Sequence, residues 1–228
     1  MAKLLLRRYR RVLVDVNTQY DLIHFGNHNR TELLRKIRRL FAWARVRNIP
    51  VISTALCRRT SSCPELLDDI EALCQEGSSG QKKIRTTILN SNVVFGPENR
   101  MDLPHHILNN YQQVILESRS EDPFSLPRAD RLMSEARADE FVVFGVGLDN
   151  SIKHIVLGLM RRRKKVAVVR DAIDRYGCHD FEMGLRKLEI KGARIINAAD
   201  LAGESRLNGH KPRVISQAAS LMLNPYSG

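Results

Sequence analysis

One stretch limits the architecture of this chain more than any other, residues 141–172, FVVFGVGLDNSIKHIVLGLMRRRKKVAVVRDA. Residues 141–144 form a continuous apolar run, the pattern of a strand buried on both faces of a parallel sheet. Gly145 and Gly147 give the backbone freedom for a tight turn. Asp149 or Asn150 is placed to cap a helix starting at Ser151. Ile152, Ile155, Val156 and Leu159 then recur at helical period on one side. The cations at 161–165 fall in the last turn, where the helix dipole favours them. Residues 166–169 are a second buried strand. The unit is β-α-β, and Ser151 stands at the mouth of its first turn, where open α/β sheets carry their chemistry.

The rest of the chain repeats this alternation. Residues 12–16 form a first strand, interrupted near its end by Asp15. A carboxylate there is costly unless it is paired or working. Thr31 caps a helix running to Arg47 with Leu33, Leu34, Ile37, Leu40, Phe41 and Ala44 as its apolar stripe. Strands follow at 51–55 and 114–116, a helix at 126–137, a helix at 179–191 and a sixth strand around Ile195. Within 57–105 the pattern weakens. A short helix opens at Cys63-Pro64, residues 77–80 form a flexible break, residues 83–100 suit a hairpin or extended flap, and 102–110 a short helix. The expectation is a three-layer α/β/α doubly wound sheet of six mainly parallel strands. Residues 1–202 make one domain with 57–105 as a variable insertion. Residues 203–228 form a basic tail, whose apolar patch at 214–223 suits a docked helix.

Several classes are excluded or disfavoured. At 228 residues the chain can bury a substantial core. It has no apolar run near the ~20 residues a membrane span needs. Leu4 to Leu6 is too short for a secretory segment, so the cytoplasm is expected. The four cysteines include no CxxC pair, which speaks against a disulfide framework or a zinc site. The formal net charge is +12, with basic clusters at 7–11, 35–39, 58–59 and 161–165. This surplus points to RNA or another polyanion as partner, weighed against a merely solvated basic surface. Aromatic residues do not interleave with these clusters, and no RNP, KH or zinc-knuckle pattern appears.

At residues 12–17 (VLVDVN), 48–54 (NIPVIST), 142–151 (VVFGVGLDNS) and 168–172 (VVRDA) the sequence resembles the isochorismatase-like cysteine hydrolases, a superfamily that includes nicotinamidases. The spacing of the last two pieces is the specific part. The resemblance implies a sheet order of 3-2-1-4-5-6, oligomeric assembly and hydrolysis of small amides by an Asp-Lys-Cys triad. The Asp falls on Asp15. The Lys position, just after strand three, holds Ser118, with Glu117 and Arg119 beside it. The Cys falls on Ser151. Residues Val146 and Gly147 correspond to the turn where the family carries a non-proline cis peptide and an oxyanion hole. The family's metal-binding branch uses an Asp and a His after strand two; here that place reads Leu56-Cys57-Arg58-Arg59, so neither metal nor other cofactor is expected, and His24 and His28 read as loop residues.

An alcohol gains far less from a nearby ammonium than a thiol does, so losing Lys and Cys together is coherent. The leading expectation is therefore a catalytically impaired homologue. It would keep a small-molecule pocket bounded by Asp15, Ser118, Gly147 and Ser151 and lined by the 81–100 flap. The alternative is an active hydrolase of a small amide or ester through Ser151, with His154 one turn away as base, or through Cys178 in the loop after strand five. A basic RNA-binding or scaffold protein is the third.

Overall fold

Seven strands, all paired in parallel, build one sheet in the computed structural model, which describes residues 8–25, 29–59, 71–174, 178 and 180–201. Across the sheet the order is β3 (Asn92–Phe95), β4 (Gln113–Ser118), β2 (Val51–Leu56), β1 (Tyr9–Val16), β5 (Ala138–Gly145), β6 (Val166–Ile173) and β7 (Arg194–Ile196). Alternation along β1 decides which side chain meets which layer. Val12, Val14 and Val16 pack with residues of α4 (Pro127–Glu135), α5 (Lys153–Arg161) and α6 (Phe181–Ile190), among them Met133, Ile155 and Leu188. Leu13 lies with the opposite cluster, which contains Phe144 and the stripe of α2 (Arg30–Arg47): Leu33, Ile37, Leu40, Phe41 and Ala44. Phe41 meets Phe144 edge to face, centroids 6.0 Å apart. Two short helices complete the description, α1 (Tyr20–His24) and α3 (Ile107–Asn110).

The expected strands stand in the expected order, with one more beside them. Residues 83–100 are neither hairpin nor flap. They make a single tight turn at Arg85–Thr87 and then supply β3, which pairs in parallel with β4 through Val93↔Val114 and Phe95↔Leu116. An edge strand needs burial on one side only, so its sequence carries a weaker signal than the central runs.

The helix expected to begin at Ser151 is also built differently. Gly145 leaves β5 so close to β1 that a Cβ there would lie 2.1 Å from the Val16 carbonyl oxygen. The chain then makes a wide turn over Leu148–Ile152, with Asn150 outside helical geometry, and α5 begins at Lys153 without a side-chain cap from Asp149 or Asn150. Helix α5 ends at Arg161, so the following cations belong to the turn into β6; Arg163 has a φ of 57°. Helix α2 starts after Asn29 rather than at a Thr31 cap. The helix expected over 102–110 contracts to α3. The helix expected from Pro64 falls mostly, and the tail patch at 214–223 entirely, outside the described residues. Among those described, no helix is long and apolar enough to cross a membrane.

Candidate functional site

Asp15 sits one pleat along from Leu13, in register with Ser53 of β2 and Phe144 of β5, and is fully buried. Its Oδ2 accepts a hydrogen bond from Ser53 Oγ at 2.8 Å and forms an ion pair with Lys83 Nζ at 2.8 Å. Lys83 also donates to Thr18 Oγ1 at 2.9 Å and to the Thr54 carbonyl at 3.4 Å. An ammonium has three hydrogens to give, and these three acceptors take them all. Gln113 Nε2 donates to Ser53 Oγ at 2.8 Å, extending the network across β4. Asp15 Oδ1, by contrast, has no hydrogen-bond partner among the described residues.

Ser151 is held by a second, adjoining network. Asn17 follows the last residue of β1 at φ 50°, a left-handed conformation that Asn tolerates. Thr54 Oγ1 donates to Asn17 Oδ1 at 2.8 Å, which turns the amide so that Nδ2 donates to Ser151 Oγ at 2.9 Å. The Ser151 hydroxyl in turn donates to the carboxylate of Glu121, whose other oxygen lies 3.2 Å from Arg58. Ser151 is 2% exposed. The two networks meet at Thr54, which gives its hydroxyl to Asn17 and its carbonyl to Lys83. Among the described residues no hydrogen bond joins Asp15 to Ser151.

The remaining residues singled out in the sequence lie around these networks. Ser118 Oγ donates to the Ser120 carbonyl at 2.9 Å and accepts from the Ser120 N–H at 3.1 Å, closing its own loop. Its neighbour Glu117 shares the strand face of Asp15 by register and accepts from Gln81 Nε2 at 3.2 Å. Burial, with the Glu76 carboxylate behind it, raises the Glu117 carboxyl above its ordinary range. The Val146 N–H is engaged by the Val16 carbonyl at 2.9 Å and so is not free to bind an oxyanion. Gly147 turns the chain at φ 87°, and among the described residues no peptide bond is cis. His154 is exposed whereas Ser151 faces inward, and no hydrogen bond connects them. Cys178 is half-buried; burial and then the Asp149 carboxylate push its thiol up to about 11. His24 Nδ1 bonds the Tyr20 carbonyl at 2.6 Å, and His28 lies outside the described residues. No group of three or more His, Cys, Asp or Glu suited to a metal occurs among the described residues.

Clefts among the described residues lie apart from these networks. A cavity of about 400 Å³ near the amino end of β1 is lined by Tyr9, His105, His106, Arg137 and Lys164, among others; another of about 750 Å³ lies beside α6 and β7. Neither is lined by Asp15, Ser118, Gly147 or Ser151.

Sequence reasoning missed Lys83, Asn17 and Glu121. A signal existed for the first: a buried strand carboxylate demands a cation, and Lys83 follows the Gly80 break in an otherwise poorly patterned segment. Asn17 lay in plain view two residues after Asp15. Glu121 offered none, because nothing local distinguishes it from Glu117 or Asp122.

The family model described as Isochorismatase domain matches residues 11–200. No curated protein matches the sequence. Among solved structures, an isochorismatase-like hydrolase from Alkaliphilus metalliredigens superposes with a TM-score of 0.65 at 14% identity, covering 86% of this chain and 98% of that one. Pyrazinamidase/nicotinamidase from Streptococcus mutans gives 0.61 at 17% identity, covering 82% and 99%. The MAR1 ribonuclease from Caenorhabditis elegans gives 0.61 at 15% identity, covering 96% of each chain. At these identities the structural likenesses establish the fold alone.

Proposed function

Since the chain belongs to the isochorismatase family, we propose that it is a catalytically impaired member of these hydrolases, with a serine where its relatives keep the attacking thiol. The observation that carries this is the confinement of the Ser151 hydroxyl between Asn17 Nδ2 and the Glu121 carboxylate. A nucleophilic alcohol needs a neighbour that takes its proton and a field that favours the resulting anion. Glu121 supplies negative charge at the place where negative charge would develop. Lys83, the nearest cation to Asp15, has all three hydrogens committed elsewhere. A small molecule entering here would compete with Glu121 for the hydroxyl. Cys178 is no better placed, because a thiol with a pKa near 11 is almost wholly protonated at neutral pH.

One observation favours a second possibility. The Ser151–Glu121 hydrogen bond is also the contact a serine hydrolase would need if Glu121 were its base. The two are separated by offering the full chain a panel of small amides and esters, nicotinamide among them. Impairment predicts no turnover above background in the wild type. Turnover that disappears in both Ser151→Ala and Glu121→Gln would establish the serine enzyme instead.

A further inference from the structure

Half of the surplus positive charge sits on one helix. Helix α2 carries seven cations, Arg30, Arg35, Lys36, Arg38, Arg39, Arg45 and Arg47, against a single acid, Glu32. The core takes its apolar stripe, so the cations are forced outward: every arginine in the helix is exposed. Arg35 and Lys36 are neutralised locally. Arg35 pairs with Glu32 at 2.6 Å, and Lys36 reaches Asp171 of β6 at 2.9 Å. Arg30, Arg38 and Arg39 meet no carboxylate among the described residues. Among the described residues Arg45 reaches carbonyls, those of Thr86 and Ile88, and no carboxylate. Beside it the exposed Arg85, in the turn that packs against α2, extends the same field.

We propose that this outer face of α2 is a docking surface for double-stranded nucleic acid, held through its phosphates. Eighteen residues of helix make a rigid rod of about 27 Å, long enough to lie along several phosphates of a duplex. Six of its seven cations are arginines, whose planar forks suit phosphate oxygens better than a lysine point charge does. An anionic membrane fits less well. A helix lying on lipid must bury an apolar face, and here Leu33, Ile37, Leu40 and Phe41 are already packed in the core. Outside the core, Val46 is the one large aliphatic side chain the helix exposes. An unpaired strand fits less well too, because its recognition draws on rings stacked against bases. Trp43, the single tryptophan of the chain, is half-buried with the Arg11 guanidinium 5.8 Å over its ring. The duplex offers the denser line of charge and asks for nothing but cations. This surface is independent of Ser151 and its chemistry.

The test uses the full chain and a 20-base-pair duplex, as RNA and as DNA, titrated over a salt series with Trp43 fluorescence and gel shift as readouts. The expected result is binding at low salt that weakens steeply as salt rises. Arg38→Gln/Arg39→Gln should weaken it at least tenfold and flatten the slope of log K against log salt by roughly 1.8, about 0.9 for each contact removed. Lys187→Gln/Lys191→Gln, which removes the same charge from the far side of the molecule, should leave both nearly unchanged. Absence of duplex binding at low salt overturns the proposal, as does equal weakening by the control pair. Tighter binding to an unpaired strand or to anionic vesicles than to the duplex overturns it as well.

Discussion

Removing the ammonium from the Asp15 pair tests the centre of the structure directly. In Lys83→Met the Asp15 carboxylate keeps the Ser53 hydrogen bond but loses its counter-charge, while Thr18 and the Thr54 carbonyl lose a donor. Asp15 is fully buried and the Lys83 side chain is 4% exposed, so water cannot compensate. Stripping one partner from a buried ion pair costs about 3–5 kcal/mol, a large share of the roughly 5–15 kcal/mol that holds a domain folded. In a chain of this size that corresponds to a fall in Tm of roughly 6–10 °C. Thermal and urea unfolding of the full chain would measure it. A double-mutant cycle with Asp15→Leu isolates the pair: removing both charges leaves no orphan ion, and a coupling of about 2–3 kcal/mol is expected. A loss below about 1 kcal/mol in Lys83→Met, with no coupling in the cycle, would show that the pair does not form and that the buried network is wrongly drawn.

Two further outcomes follow from the same chemistry. Glu117 has its carboxyl raised by burial and by Glu76, so the folded protein holds its proton more readily than the unfolded chain does. The stabilisation it gives is complete below the ordinary carboxyl range and fades as pH rises through the elevated value. Glu117→Gln should therefore raise Tm at pH 7–8, an advantage that vanishes in acid; a gain that is the same at every pH would contradict the assignment. Cys178 should react sluggishly with iodoacetamide at pH 7 and progressively faster toward pH 11. Asp149→Asn removes the carboxylate that opposes its thiolate and should hasten labelling at neutral pH; an unchanged rate would refute the contact.

Most of the scaffold was legible because it is written in runs. Residues 114–116, 141–144 and 166–169 are continuous apolar runs, and 12–16 is one but for Asp15, the pattern of strands covered on both faces of a parallel sheet. The resemblance at 142–151 and 168–172 brought the family with it, and the expected order 3-2-1-4-5-6 survives inside the seven-stranded sheet. Strand β3 escaped because an edge position asks so little of Asn92–Phe95. The turn at Leu148–Ile152 escaped for another reason. It follows Gly145 where that residue closes on Val16, a contact between strands more than a hundred residues apart.

The sequence by itself determined the layers, the core stripe of each long helix and the presence of an acid at the end of β1 with an alcohol after β5, since periodicity and local chemistry act within a few residues. Tertiary structure alone decided which groups these two would meet. Asp15 receives Lys83 from a segment without strong pattern, and Ser151 receives Asn17 and Glu121 from two other strand ends. Hydrogen bonds between loops depend on where the strand ends converge in space, and no local pattern encodes that convergence. The concentration of charge on α2 is of both kinds: the arginines are in the sequence, but burial of Leu33, Ile37, Leu40 and Phe41 against the sheet is what turns them all toward water.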